Sequence, residues 1–254
     1  MVRITVFDSG LGSLSIIHAM QKIFKAEIIY FADSQNYPYG TKSHAQLSKI
    51  MEKNISLLQE QFSPDFIVVA SNTPSLMLNL ATQKIIDVKP PLNYAKKISK
   101  TKQIAIVATE SAINSEGLNQ YIKKNNFPKS LKILKINASD LVELVECGKF
   151  ITNKQYCKKI IKKILDQKIS QNDIDVITLS STHLPFLKPL FEKEYPHVKF
   201  LDPGNMIAKK IFLKIKNKQS KRNTLKIFTS GNITEFQNKL KNIGIKNKVN
   251  FLSI

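Results

Sequence analysis

Short apolar runs alternate with longer amphipathic stretches along the first third of the chain. Three runs are largely apolar and have the length of strands: 3–7, 28–32 and 66–70. Three amphipathic segments follow them at helical spacing: 14–25, 43–61 and 75–84. Strands that are apolar on both sides are typical of a parallel sheet covered by helices. The pattern therefore predicts a β/α repeat.

The same pattern restarts after Pro90-Pro91, which we interpret as a boundary, because proline lacks an amide N–H and disfavours helix in the residue before it. The predicted strands of this second part are 104–108, 131–136 and 175–179, and its predicted helices are 115–125, 139–148 and 153–167. Late strands at 199–201 and 226–228 flank a basic helix, and a last helix covers 234–242. The second half thus mirrors the first.

Length, composition and cysteine usage narrow the class of protein. The chain has 254 residues, of which 43% are hydrophobic and 23% charged, as in globular proteins. No apolar run approaches the roughly 20 residues that span a bilayer, and the N-terminus reaches Asp8 before a signal peptide could develop. We therefore expect a cytoplasmic protein without a membrane partner. Cys147 and Cys157 lack CxxC spacing and are predicted to be reduced thiols.

The net charge of +20 comes almost entirely from lysine, since only Arg3 and Arg222 are arginine. Nucleic-acid-binding surfaces more often cluster arginine with aromatic residues, and the chain has no Trp, so a nucleic-acid partner is not expected. Residues 203–234 contain no acid, and their basic residues are Lys209, Lys210, Lys214, Lys216, Lys218, Lys221, Arg222 and Lys226. We interpret this stretch as a solvated surface, with salt-sensitive attraction to polyanions as the alternative.

Polar residues follow the predicted strands, where open α/β sheets bind their ligands. These positions hold Asp8-Ser9, Ser71-Asn72-Thr73, Thr109 and Ser181-Thr182-His183. Gly10-Leu11-Gly12 does not complete a dinucleotide fingerprint, because the third glycine position is Ser15. The chain also lacks the P-loop, H-E-x-x-H and G-x-S-x-G motifs. The strand ends are therefore the candidate site, and the sequence predicts no cofactor and no metal.

Several segments together resemble the glutamate racemase family, within the cofactor-independent aspartate and glutamate racemases. The matching segments are Val6-Phe7-Asp8-Ser9-Gly10-Leu11-Gly12, Tyr30-Phe31-Ala32-Asp33, Pro38-Tyr39-Gly40-Thr41-Lys42-Ser43, Val68-Val69-Ala70-Ser71-Asn72-Thr73, Val145-Glu146, Thr182-His183-Leu184-Pro185-Phe186-Leu187 and Thr229-Ser230-Gly231. They occur in the same order as in the family, and the resemblance extends from residue 4 to about residue 240. The resemblance implies two pseudo-symmetric parallel-sheet α/β domains that face each other across a cleft. We assign residues 1–92 and 206–254 to the first domain and 93–205 to the second.

The resemblance also implies roles for individual residues. In this family two cysteines act as base and acid on the α-carbon of glutamate, and their positions hold Ser71 and Ser181 here. Asp8 and His183 match the residues that adjust the two thiols, and they also line the substrate. The remaining positions that match hydrogen-bond partners of the substrate are Ser9, Tyr39, Gly40, Asn72, Thr73 and Thr182. Thr109 lies on the expected strand end, whereas the nearby family threonine is Ala112 here.

Two hydroxyls in place of two thiols change the expected chemistry. A thiol has a pKa of about 8.5 and an aliphatic hydroxyl lies nearer water's roughly 15.7, so making the base costs about 10 kcal/mol more. Active sites typically shift pKa values by about 2–5 units, which recovers only part of this difference. We therefore expect an acidic amino acid or similar small carboxylate to bind, with two-thiol racemisation altered or absent.

Other interpretations stay open at this point. The protein could be a catalytically silent binding or regulatory module, or Ser71 or Ser181 could act as a nucleophile activated by His183. Both serines could also be inert helix caps, since serine is a preferred N-cap residue. Homodimerisation is a further expectation, and Cys147 is interpreted as a small hydrophobic residue on a helix.

Overall fold

The chain forms two compact α/β units. The computed structural model describes residues 2–215 and 218–254, so Lys216 of the basic stretch lies outside the described residues. One unit comprises the chain up to Val88 together with the chain from Gly204 onward, and the other spans Lys89–Pro203. Each unit has one sheet whose described strand pairs are all parallel. This confirms the predicted α/β fold with two parallel sheets.

The first unit is built on a six-stranded sheet with the order β10-β9-β2-β1-β3-β4. Numbered in chain order, its strands are β1 (Arg3–Asp8), β2 (Glu27–Ala32), β3 (Phe66–Val69), β4 (Ile85–Asp87), β9 (Thr224–Thr229) and β10 (Val249–Phe251). Its helices are α1 (Ser13–Ile23), α2 (His44–Phe62), α3 (Asn72–Met77), α11 (Pro203–Ile215) and α12 (Ile233–Asn242).

The second unit is built on a four-stranded sheet with the order β6-β5-β7-β8. Its strands are β5 (Gln103–Ala108), β6 (Lys132–Asn137), β7 (Val176–Leu179) and β8 (Lys199–Leu201). Its helices are α4 (Leu92–Ile98), α5 (Glu110–Ile113), α6 (Glu116–Lys124), α7 (Ser139–Glu146), α8 (Lys149–Thr152), α9 (Lys154–Asn172) and α10 (Lys188–Glu194). Within the two described ranges, no helix is both long enough and apolar enough to cross a membrane.

Helical periodicity accounts for how the long helices cover the sheets. The 19-residue helix α9 buries one stripe of residues, namely Cys157, Ile161, Leu165 and Ile169. Their four-residue spacing places them on one face, which packs into the core of the second unit. Helix α2 begins with a capping box, in which the Ser43 hydroxyl accepts from the Gln46 N–H and the Gln46 side chain accepts from the Ser43 N–H. Such local signals explain why both helices were predictable.

The structure corrects several sequence-based expectations. The predicted helix 75–84 is instead α3, which begins at Asn72 and ends at Met77, where the Leu78 N–H donates to the Pro74 carbonyl. The chain then turns into β4, a strand of three residues that the apolar pattern did not reveal. The pattern also missed α4, α5, α8, α10 and β10. Cys147, interpreted from the sequence as a small hydrophobic residue on a helix, is exposed at the C-cap of α7, directly after Glu146.

A buried acid connects three neighbouring strands of the first unit. The Arg3 Nε donates to Glu27 Oε2 at 2.7 Å, and the Lys226 Nζ donates to Glu27 Oε1 at 2.8 Å. These residues belong to β1, β2 and β9. The hydrogen bond from Lys226 lowers the pKa of Glu27 below its usual value, against the effect of burial and with further help from Arg3. The carboxylate therefore stabilises the fold in its ionised form.

We predict that Glu27→Gln lowers the unfolding free energy by about 2 kcal/mol at pH 7, since it removes charge-assisted hydrogen bonds. The folded-state pKa lies below the unfolded value near 4.5, so the stabilisation is complete above that pH and is lost as the pH falls through the folded-state pKa. Urea unfolding from pH 7 to pH 3 measures this. The deficit of the variant should shrink with falling pH, and a constant deficit would contradict the prediction. Glu235→Gln, at an exposed residue of α12, is the matched control.

Candidate functional site

In the first unit, the carboxyl ends of β1 and β3 bring predicted site residues together. The two strands pair in parallel up to Phe7 and Val69, so both chains leave the sheet at the same edge. Asp8 ends β1, and its Oδ1 accepts the Ser9 N–H at 2.7 Å. Ser71-Asn72-Thr73 follows β3, and all five residues at these two strand ends are buried. The predicted strand-end cluster of this unit is therefore one continuous edge.

Asp33 organises the loop that carries Tyr39 and Gly40. Its carboxylate is fully buried and accepts five hydrogen bonds at 2.7–3.1 Å from four side chains, of which the Asn54 Nδ2 bond is the shortest. The donors are the Tyr39 hydroxyl, the Asn54 and Asn36 amides and the Ser230 hydroxyl. They come from a turn, from α2 and from the segment after β9. The carboxylate thus fixes Tyr39 at the same sheet edge as Asp8.

Tyr39 is held as a neutral phenol. Burial raises the pKa of Tyr39 well above its usual value, and the charges of Asp33 and Asp8 raise it further. Its hydroxyl donates to Asp33 Oδ2 at 2.9 Å and accepts from Asn54 Nδ2 at 3.3 Å. The phenol therefore acts as a fixed hydrogen-bond donor at neutral pH and not as a base.

Ser71 does not behave as an inert helix cap. It occupies the N-cap position of α3, yet its side chain makes no capping hydrogen bond, so that interpretation is wrong for this residue. Its carbonyl instead accepts from the Ser75 hydroxyl at 2.7 Å. The neighbouring Asn72 Nδ2 donates to the Val88 carbonyl at 3.0 Å, which fixes the amide, while Asn72 Oδ1 is buried without a hydrogen-bond partner among the described residues.

In the second unit, Thr109 and Ser181-Thr182-His183 follow two adjacent strands. β5 and β7 pair in parallel, and the N–H of Ser180, the first residue after β7, donates to the Val107 carbonyl at 2.8 Å. Thr109 is half-buried, and its hydroxyl lies 3.3 Å from that of Ser111. Ala112 is buried in α5. The second predicted cluster is therefore also a single edge of its sheet.

His183 is positioned by an acid that the sequence analysis did not assign to the site. Its Nε2 lies 2.5 Å from Glu146 Oε1, and both side chains are buried. Its Nδ1 lies 3.5 Å from the Ser181 hydroxyl oxygen. An ionised carboxylate can only accept, which assigns the proton of the neutral ring to Nε2 and leaves the Nδ1 lone pair towards Ser181. The three side chains form a carboxylate, imidazole and hydroxyl series.

Glu146 and Asn54 were not assigned to the site from the sequence, although the sequence contains a signal for each of them. Glu146 falls on the same helix face as the buried Val142 and Val145, where an acid needs a partner. Asn54 interrupts the apolar stripe of α2 between Met51 and Leu58, and it proves to be a donor to Asp33. A polar residue on a buried stripe is thus the common signal.

The arrangement offers acids, hydroxyls, amides and one imidazole, but no metal centre within the described residues. No group of three or more His, Cys, Asp or Glu side chains there could hold a metal ion. Cys147 and Cys157 are both free, one exposed on α7 and one buried in α9, and neither follows a strand. The chemistry of these sheet edges is therefore that of hydrogen bonding, of carboxylates and of the Ser181 and His183 pair.

Comparison with known proteins identifies the class. No family model matches the chain. The glutamate racemase isoform of Bacillus anthracis superposes with a TM-score of 0.83 at 23% identity, covering 100% of this chain and 98% of that one. The glutamate racemase of Francisella tularensis, solved in complex with D-glutamate, gives 0.79 at 23% identity, with 100% and 97% covered. The two-sheet α/β fold is thus that of the glutamate racemases.

Sequence similarity extends this from fold to family. The glutamate racemase of Buchnera aphidicola subsp. Schizaphis graminum is 31% identical over 228 residues, covering 87% of this chain and 88% of the relative. That of a Sulfurihydrogenibium species is 30% identical over 247 residues, covering 94% and 92%. The chain therefore belongs to the glutamate racemase family.

We predict that neutral His183 carries its proton on Nε2, because the Glu146 carboxylate accepts there. Nitrogen-15 NMR of the ring measures the tautomer directly. Glu146→Gln should convert the single tautomer into a mixture, since an amide can donate as well as accept. Glu192→Gln, at an exposed residue of α10, should leave the ring spectrum unchanged. A wild-type ring protonated mainly on Nδ1 would refute the assignment.

Proposed function

We propose that this chain binds an acidic amino acid or a similar small carboxylate through its buried strand-end groups, and that standard two-thiol racemisation is lost. The observation that carries the proposal is the buried set of acid, amide and hydroxyl groups at both sheet edges, gathered around Ser71 and Ser181 where the family's two thiols are expected.

The polar groups suit a small zwitterion with an additional carboxylate. Small hydrogen-bonding residues, namely Ser9, Asn72, Thr73 and Thr182, are buried at the sheet edges and can pair with carboxylate oxygens. The Asp8 carboxylate offers the opposite charge to an ammonium group. The Francisella tularensis relative was solved with D-glutamate and the Escherichia coli relative with L-glutamate, which supports a glutamate-like ligand here.

Proton abstraction is the step that these side chains support poorly. A hydroxyl is harder to ionise than a thiol by about 7 pKa units. If the site recovers about 2–5 of these units, a rate deficit of roughly a hundredfold to a hundred-thousandfold remains. Asp8 and the His183 and Glu146 pair can still orient a ligand and its charges. Binding without appreciable α-proton exchange is therefore the expected behaviour, and it favours a binding or regulatory role.

We predict that Ser71→Cys with Ser181→Cys raises α-proton exchange of glutamate by at least a hundredfold over the wild type, because it restores ionisable groups at the two positions. Exchange is followed by NMR in heavy water for D- and L-glutamate and D- and L-aspartate. Calorimetry with the same four ligands tests binding by the wild-type chain.

The matched controls are the corresponding alanine variants, which should bind but not exchange. Wild-type exchange at the rate of the cysteine variant would contradict the loss of racemisation. Failure of all four ligands to bind either protein would contradict the proposed ligand class.

A second candidate function is nucleophilic catalysis by Ser181. The specific observation in its favour is the series from Glu146 through His183 to the Ser181 hydroxyl, with separations of 2.5 and 3.5 Å. An imidazole whose lone pair faces a hydroxyl can accept its proton during attack on an acyl or phosphoryl centre. No histidine contact of this kind is recorded for Ser71 among the described residues, so the two serines are not equivalent.

If Ser181 is such a nucleophile, a fluorophosphonate probe should label this residue and leave Ser71 unmodified. Intact-mass and peptide spectra locate the adduct. His183→Gln should slow labelling by roughly a hundredfold or more, the usual contribution of a general base. Ser71→Ala should label like the wild type. An unlabelled Ser181 after prolonged reaction would dismiss this candidate.

A further inference from the structure

Helix α11 carries an apolar ridge on its outward face. Its inner face is formed by the buried residues Ile207, Ala208, Ile211 and Ile215. On the opposite side, Met206 is 45% exposed and Leu213 is 67% exposed. Their seven-residue separation is about two turns, so they lie along one line that points away from the core. Leu213 is thus an exposed leucine at the outermost position of an amphipathic helix.

Lysines flank this ridge on both sides. Lys209 and Lys210 are exposed, and helical geometry puts them between Met206 and Leu213, one on each side of the line. Lys218, Lys221 and Arg222 continue the positive charge beyond the helix and are also exposed. None of these five basic residues forms an ion pair with any other described residue.

One further lysine shows how α11 is attached to its unit. The Lys214 Nζ donates to the Gln83 carbonyl at 3.0 Å and lies 5.8 Å from the centre of the Phe66 ring. Its charge is therefore engaged by the fold, although the residue is exposed. The ridge and its flanking charges belong to a helix that is held on the first unit.

We propose that this face, made of Met206, Lys209, Lys210 and Leu213, rests on an anionic lipid surface. The main apolar face of α11 is packed in the core, so the outward pair Met206 and Leu213 is the part of this face that can enter a lipid interface. Each lysine near an anionic leaflet contributes to attraction, and the apolar residues enter the acyl boundary. The proposal departs from the sequence-based expectation of no membrane partner, which rested on the lack of a long apolar run.

The residues of this face argue against two other binding partners, a second copy of the chain and a nucleic acid. A second copy of the same face would bring lysines against lysines. A nucleic acid would gain from arginine forks and stacked rings, whereas this segment has one arginine, and its outermost residues are aliphatic. An anionic lipid layer satisfies both the charge and the apolar ridge. The inference does not depend on the proposed ligand of the sheet edges.

Vesicle flotation with the full chain tests the proposal. The wild type is mixed with vesicles of phosphatidylcholine containing phosphatidylglycerol, and separately with vesicles of phosphatidylcholine alone. Two variants alter the face, Met206→Ser with Leu213→Ser and Lys209→Gln with Lys210→Gln. Two control variants change residues outside this face. Ile151→Ser with Ile233→Ser removes two other exposed apolar side chains, and Lys159→Gln with Lys163→Gln removes two other exposed lysine charges. Circular dichroism checks that each variant is folded.

The wild type should float with the anionic vesicles and not with the neutral ones. The lysine variant should bind roughly five-fold more weakly for each charge removed, and the apolar variant roughly ten-fold more weakly. Both controls should bind within two-fold of the wild type. The proposal is overturned if anionic vesicles do not bind, if the charge control loses as much as the lysine variant, or if the apolar variant binds like the wild type.

Two further outcomes would assign the face to another occupant and so overturn the proposal. One is a change in oligomeric state, measured by analytical ultracentrifugation, that accompanies the face variants without vesicles present. The other is tighter binding of an RNA duplex than of anionic vesicles, with no loss in the apolar variant.

Discussion

Parallel pairing of buried strands is the constraint on which both candidate edges depend. Every residue of β2 is buried, and β1 is buried from Ile4 to Asp8, so a polar side chain along these strands needs buried partners, as Glu27 has in Arg3 and Lys226. Because the strands are parallel, the segments that follow them all leave the sheet at the same end. Polar side chains that the interior cannot accept therefore collect there. Ser71 and Ser181 follow from this constraint, since each is placed within two residues of the end of its strand.

Two buried carboxylates stabilise these edges in different ways. Asp33 is surrounded by four neutral donor side chains from three segments, which hold the Tyr39 turn against the first sheet. Glu146 contacts the imidazole of His183 and orients that ring in the second unit. A buried carboxylate without donors is costly, so each set of partners is mutually required. The edge in the first unit is thus fixed by a network, while that of the second can also hold or release a proton.

The sequence predicted those parts of the fold whose signal is local. β1 to β3, α2 and α9 are long or strongly periodic, and the resemblance to a family supplied the strand-end residues. The contact between Glu146 and His183 spans 37 residues, and periodicity reveals that a residue is buried without revealing its partner. α3 was misplaced because its continuation depends on where β4 pairs with β3, a tertiary choice. β4 and β10 have three residues each, too few for alternation to identify a strand by itself, although β8, which is equally short, was predicted.

If the protein has the proposed function, ligand binding and proton transfer depend on different properties of the side chains at the two sheet edges. Binding needs donors and acceptors held at fixed positions, and a hydroxyl supplies these at least as well as a thiol, which is a weak donor. Proton abstraction needs an anion of the side chain, and there oxygen is disfavoured by about 7 pKa units. Replacing sulfur by oxygen at Ser71 and Ser181 therefore removes one property while leaving the other intact. The Asp33 network and the Glu146 contact, which involve neither serine as a required partner, can persist unchanged through such a replacement.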